Sequence, residues 1–229
     1  MSGKPVRQRN FLSREVILEA AFRIVDADRA NEITMSRLGR ELDADPSAVY
    51  RHFRNKDELL LAMADVMLEE SMTSYVEGDA PVDNLRRMCW TLRRSYLRRP
   101  VLAREVAYRF TGGLAEAAGV RHMLQNMAEL GYDPPEAIAR GRALAEMTLG
   151  HIVVTAGVLA LPPASQAFEL EMARAYYTFP PAPSRLPPGD YRAEHLADGE
   201  AVFGTMLETF LAGLLAAAPA AGTRPAGSP

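Results

Sequence analysis

The sequence contains one cysteine, Cys89, so an intramolecular disulfide and any CxxC metal or redox site are excluded. A lone thiol fits a reducing compartment. Its four histidines (His52, His122, His151 and His195) are scattered, and no two stand at the helical spacing that a metal pair uses. The motifs GxxxxGK[ST], HExxH, GxSxG and GxGxxG are all missing, which removes the usual sequence signs of nucleotide, metalloprotease, serine hydrolase and dinucleotide chemistry. Alternating apolar and polar runs bounded by Asn-Gly or Asp-Gly turns are missing too, so no strands are predicted. There is no internal repeat. The N-terminus has no apolar core of signal-peptide type. The longest uncharged helical stretch, residues 147–161, ends at Pro162-Pro163 and is short of the roughly 20 residues a membrane span needs. The expectation is a cytoplasmic chain with no membrane partner.

What is present is enough for one large or two unequal domains: 229 residues, 48% of them apolar and 24% charged. The net charge of −3 argues against nucleic acid until its distribution is read. Residues 1–56 carry 11 Lys and Arg against 8 Asp and Glu, a net of +3. The remaining residues carry 15 against 21, a net of −6. Only the front end suits phosphate.

Helical periodicity dominates that front end. Ser13 caps a first helix with Glu15 in its first turn and Ile17, Ala20, Ala21 and Ile24 as an apolar stripe. Asp28 to Asn31 reads as a turn, and Thr34 caps a short second helix bearing Leu38 and Leu42. After the tight turn 43–45, Asp45 followed by Pro46 is a cap-plus-first-turn signature for a third short helix ending near Phe53. Asn55, with Glu58 three positions on, opens a long fourth helix in the manner of a capping box.

Two short helices joined by so short a turn, with another helix before them, make a helix-turn-helix. Leu38 and Leu42 then have to pack on Val49 and Phe53 to fix the crossing angle. Pro46, Ser47, Ala48, Tyr50, Arg51 and His52 are left toward the exposed face or the N-terminal end of the third helix. Ser47 suits a base edge or a phosphate, and the Ala48 methyl suits a thymine methyl. Arg51 fits phosphate or guanine, while Tyr50 and His52 suit bracing of the backbone. Ser36 and Arg37, in the first turn of the second helix, and Lys56, at the start of the fourth, complete the candidate DNA contacts. The basic arm with Lys4, Arg7 and Arg9 reads equally as a groove-reaching arm or an ordinary basic tail.

The strings ILEAAFRIV, TMSRLGREL and, most specifically, SAVYRHFRNKDELL resemble the tetracycline-repressor family, whose members carry a similar LYxHFxxKxxLL string. The resemblance is clear from Arg14 to Leu60, and weaker at YLRRPVL and FGTMLETFLAGL. It departs from the family at two glycines, one in the turn where this chain has Asp43 and one in the loop before the second helix, and Asp and Asn tolerate the left-handed conformation that glycine supplies. The resemblance implies an all-α fold of nine or ten helices. A DNA-binding head with its arm (1–56) would be joined by a connecting helix (57–76) to an effector-binding, dimerising body (77–218), with a disordered tail (219–229). It implies a homodimer that binds a palindromic double-stranded operator and is released by a small-molecule effector. The magnesium-chelating histidine of the family's namesake has no counterpart in RPVLAREVAYRF, so neither a metal nor a cofactor is expected.

In the body, helices are predicted near 83–99, 101–109, 115–130, 135–161 and 200–217, with a proline-rich loop over 177–189. Trp90, Tyr96, Tyr108 and Phe110, with Met88 and Met147, lie on segments facing the family's ligand cavity, with Arg93, Arg109 and His151 as the polar groups to orient a ligand. His151, inside an apolar run, also reads as a core or interface histidine. The helices near 135–161 and 200–217 are apolar nearly all round and carry Gly150, Gly157, Gly204 and Gly213, a composition suited to a dimer interface. A small helical enzyme and a ligand-binding or interaction module without DNA binding are the rival readings.

Overall fold

The computed structural model describes residues 12–27, 33–78, 80–178 and 199–219. The N-terminal arm, the turn at 28–31, the proline-rich stretch beyond Thr178 and the tail beyond Pro219 lie outside them.

Local capping chemistry places the first four helices. In α1 (Arg14–Ala27), the Ser13 hydroxyl accepts from the Val16 amide at 3.3 Å, and Ile17, Ala20, Ala21, Ile24 and Val25 are buried. Thr34 opens α2 (Met35–Glu41) by accepting from the Arg37 amide at 3.1 Å. Asp45 opens α3 (Pro46–Tyr50) by accepting from the Ser47 amide at 2.8 Å, with Pro46 where a missing N–H costs nothing. Asn55 opens α4 (Lys56–Ser74), accepting from the Glu58 amide at 2.8 Å. Glu58 returns the bond to the Arg54 amide, one residue before the cap. The helix α3 is shorter than the sequence suggests. The amides of His52 and Phe53 both turn back onto the Val49 carbonyl, closing the chain before the next cap begins.

Asp43 takes φ of +47° in the α2–α3 turn, the left-handed conformation expected where relatives carry glycine. Asp43→Gly should therefore leave the head as stable or more so. Asp43→Val should lower its stability by about 1–2 kcal/mol, read as an earlier urea midpoint at unchanged slope.

The body consists of α5 (Pro81–Leu97), α6 (Pro100–Val106), α7 (Leu114–Glu129), α8 (Pro134–Leu159), α9 (Pro163–Thr178) and α10 (Gly199–Ala217). The long α8 packs on α5, α6 and α7, and α10 lies on α8 and α5. One core runs from the head into the body, joining Ile17, Leu38, Phe53 and Met67 to Tyr96, Val106 and Ile152. A second joins Leu85, Met127 and Leu144 to Phe203, Leu207 and Leu211. Arg99 ties the parts together: its guanidinium holds Asp26 of α1 at 2.8 Å and Glu70 of α4 at 2.9 Å, and lies over the Phe22 ring.

By length and hydropathy alone, α8 and α10 are apolar enough to cross a membrane. In the fold each gives one stripe to the core, Leu144, Thr148, Ile152 and Ala156 on α8 and Phe203, Leu207, Leu211 and Leu214 on α10. Other apolar residues of the same helices, including Ile138, Val154 and Leu215, stand exposed. A Cβ added at Gly150, Gly157 or Gly213 would meet open space, whereas one at Gly204 would touch the Trp90 ring. The helix α9 is absent from the sequence expectation. None of its described side chains is buried, so it leaves no apolar stripe to detect.

Candidate nucleic-acid interface and effector cavity

The head presents a small exposed surface on a fully buried base. Leu38, Val49 and Phe53 have no solvent exposure, and Leu42 packs against them from the side. That base turns Ser36, Pro46, Ser47, Tyr50 and Arg51 outward, with Arg37, Ala48, His52 and Lys56 half-exposed around them. Seven of the nine candidate contacts lie on α3 or between it and the start of α4, and Ser36 and Arg37 lie in the first turn of α2. Arg14, which sequence reasoning left aside, fastens this unit. Its guanidinium donates to the His52 carbonyl at 2.6 Å and to Glu58 at 2.9 Å, and sits 4.1 Å from the centre of the Phe53 ring. Thus α1, the end of α3 and the start of α4 move as one piece. Backbone bonding and Arg14 hold the Glu58 carboxyl below its ordinary range. The Lys56 amine lies 3.6 Å from Glu105 of α6, so its charge is shared with the body.

Behind the head, the body encloses a cavity of about 170 Å³ between α4, α5, α7 and α8. From α4 come Leu68, Ser71, Met72 and Tyr75, one stripe at helical spacing. From α5 come Leu85, Met88, Cys89, Leu92 and Tyr96, and from α8 Leu144, Thr148 and Leu149. Arg109, Phe110 and Glu116 line it from the α6–α7 connection and the start of α7. Burial pushes the Cys89 thiol up to about 11, so it is a neutral wall group rather than a nucleophile. Burial, with the Glu116 and Asp65 carboxylates, raises the Tyr96 phenol far above its usual range.

Of the ligand-cavity residues expected from sequence, Met88, Tyr96, Arg109 and Phe110 line this cavity. Trp90, Arg93, Met147 and His151 lie outside it, on the side of α5 and α8 that meets α10. Trp90 packs edge-on to Phe203 at 4.8 Å, and the His151 ring lies 4.9 Å from the same phenylalanine. Arg93, almost wholly buried, spans Trp90 and Phe203 and reaches His151 at 3.4 Å. Burial and then the Arg93 charge push the His151 pKa down, so this cluster holds a neutral imidazole. Met147 packs into the core around Phe203. The reason is geometric: α5 is covered on two faces, and residues one or two positions apart on a helix point to different ones.

The body meets the start of α4 at two contacts, one of them from the cavity residue Arg109. Arg109 donates to Asp57 at 3.2 Å, and Glu105 meets Lys56.

The family model described as bacterial regulatory proteins, tetR family, matches residues 17–63, the head and the first part of α4. The model of the tetracyclin repressor-like C-terminal domain matches residues 77–218, the whole body. An HTH-type transcriptional repressor of Mycobacterium tuberculosis is 32% identical over 98 residues, covering 42% of this chain and 38% of that protein. A putative transcriptional regulator from Streptomyces coelicolor has a crystal structure with a TM-score of 0.69 and 31% identity, covering 91% of this chain and 99% of that one. The Streptomyces coelicolor TetR family protein ActR, solved in complex with (S)-DNPA, gives a TM-score of 0.72 at 26% identity, covering 91% and 99%. With both the head and the body matched in order along one chain, the protein belongs to the tetR family of bacterial regulatory proteins.

Proposed function

We propose that this chain is a homodimeric, cytoplasmic transcriptional repressor that grips a palindromic DNA operator through α2 and α3 and is released by a small-molecule effector bound in the body. The single observation that carries the reading is the placement of α4. Its N-terminus follows the recognition helix α3 and is fastened to it by Arg14, while its C-terminal half forms one wall of the cavity. A ligand that favours a different packing of Leu68, Met72 and Tyr75 against α5 and α8 has to move α4, and α3 with it. The solved complex of ActR with (S)-DNPA supports a small-molecule ligand for this chain.

Dimerisation is supported by the exposed apolar residues of α8 and α10 and by the open glycines between them. A partner copy on the Val154 side of α8 would bury that residue, and close approach there is easiest at Gly150 and Gly157. The two heads of such a dimer have to meet successive major grooves about 34–36 Å apart.

Selection from random double-stranded DNA tests this reading. The purified chain should enrich an inverted repeat whose half-sites are centred about one helical turn apart. Enrichment of a single unrepeated half-site, or of nothing above input, would contradict it.

A further inference from the structure

Two hydroxyls on the cavity wall have no partner. The Tyr75 hydroxyl and the Thr148 hydroxyl are both shut off from solvent, and neither makes a hydrogen bond within the protein. Thr148 approaches only the Cys89 thiol closely enough to ease its ionisation, and a thiol is a weak partner. Leaving such groups unpaired among apolar side chains is unfavourable, and native interiors seldom do so without a reason. Around them the wall is Leu85, Met88, Leu92, Met123 and Leu144. Glu77, Arg87 and Glu129 lie behind Tyr75, near enough to act on its phenol but not on the cavity wall, and the two charged groups that do line the cavity are already engaged. Arg109 is held by Asp57, and Glu116 accepts from Thr111 and from the Gly112 amide.

We propose that the effector is a neutral, mainly apolar ring compound bearing two hydrogen-bonding oxygens, one held by Tyr75 at the end of α4 and the other by Thr148 on α8. The proposal rests on reading this cavity as the effector site and adds what chemistry it accepts. A ligand charge at Thr148 would be desolvated among leucines and methionines, and an anion at Tyr75 would face the Glu77 and Glu129 carboxylates behind it, so a neutral ligand is favoured. The size agrees: an apolar cavity of about 150 Å³ accommodates benzene, so 170 Å³ suits one ring with small substituents. A hydroxyl both donates and accepts, so each position takes a ligand carbonyl or a ligand hydroxyl. Burial and the Glu77 carboxylate keep the Tyr75 phenol protonated, leaving it available as a donor. Because Tyr75 caps the C-terminus of α4, the ligand oxygen would take hold of the helix that carries the head.

Three probes of similar shape test it by calorimetric titration of the full chain at about pH 6.5, where an ordinary phenol is neutral. They are 4-hydroxyacetophenone, neutral with two oxygens; 4-ethyltoluene, with none; and 4-hydroxybenzoate, an anion. The ketone should bind about tenfold or more tighter than the hydrocarbon, and the anion weakest of the three. Tyr75→Phe and Thr148→Val should each weaken the ketone about three- to tenfold while leaving 4-ethyltoluene within about twofold. Ala145→Phe, which fills the cavity, should abolish binding of both. Equal binding of ketone and hydrocarbon, unaffected by Tyr75→Phe and Thr148→Val but lost in Ala145→Phe, would overturn the two-hydroxyl proposal and leave the cavity reading standing. Ketone binding untouched by Ala145→Phe, or no binding by any probe, would overturn both. Unchanged helical circular dichroism in each variant excludes unfolding as the cause.

Discussion

Leu38→Asp should unfold the DNA-binding head and abolish DNA binding while leaving the body folded. Leu38 has no solvent exposure and packs in the cluster with Val49, Phe53 and Ile17. Removing its side chain alone costs about 2–5 kcal/mol, and an uncompensated carboxylate in the same place adds to that. The sum is comparable to the whole stability of a small domain. The Arg14 guanidinium is already committed to Glu58 and the His52 carbonyl, so it does not serve as a counter-charge. The sole tryptophan, Trp90, stands in the body against Phe203 and provides a separate reporter. The expected result is loss of part of the helical signal and of all DNA affinity, with native Trp90 emission kept and its unfolding midpoint lowered because head and body share one core. Leu38→Met, which conserves volume, should cost less than about 1.5 kcal/mol and keep DNA binding. Retained affinity in Leu38→Asp would mean that the α2–α3 pair is not the DNA-binding unit.

The second large effect separates reading from positioning. Ser47 and Ala48 begin α3, with the Ser47 amide tied to the Asp45 cap and its side chain exposed. Small side chains there let the helix end approach the floor of a major groove. Substituting either with a larger residue should cost roughly 1–3 kcal/mol at particular base pairs and change the preferred sequence. Lys56 starts α4 at the helix N-terminus, where phosphate contact is the expected role. Lys56→Ala should weaken all sequences alike and reduce the log–log salt slope by about one unit per lost contact, or two per dimer. Its amine is shared with Glu105, so Glu105→Gln should act in the opposite sense, tightening binding to operator and random DNA together.

Much of the head is legible in the sequence because its determinants are local. Thr34, Asp45 with Pro46, and Asn55 cap their helices through side chains that reach amides only two or three residues on. Asp43 adopts the left-handed turn that its residue type allows. The clasps of the head are not legible in this way. Arg14 finds Glu58, and Arg99 finds Asp26, only after the chain has folded back over 44 and 73 positions. The cavity is half legible. Periodicity marks α5 as buried, and its aromatics as interior, but not which of two buried faces meets a void. Tyr96 and Arg109 fall on the cavity side, whereas Trp90 and Arg93 fall against α10. Tyr75 and Thr148 carry no sequence signal at all. A hydroxyl is notable only once its surroundings are known to offer it nothing. With no buried side chain among those described, α9 can be inferred from helix propensity alone.

The central claim, that α3 reads sequence while Lys56 holds the backbone, is tested most directly by one salt titration. Wild-type protein, Lys56→Ala and a Ser47 or Ala48 variant are each titrated on the selected inverted repeat and on random duplex DNA. The account predicts parallel losses on both DNAs with a shallower slope for Lys56→Ala. For the α3 variants it predicts a loss confined to the selected sequence with the slope unchanged. A Lys56→Ala protein with altered sequence preference, together with α3 variants that weaken uniformly, would contradict it.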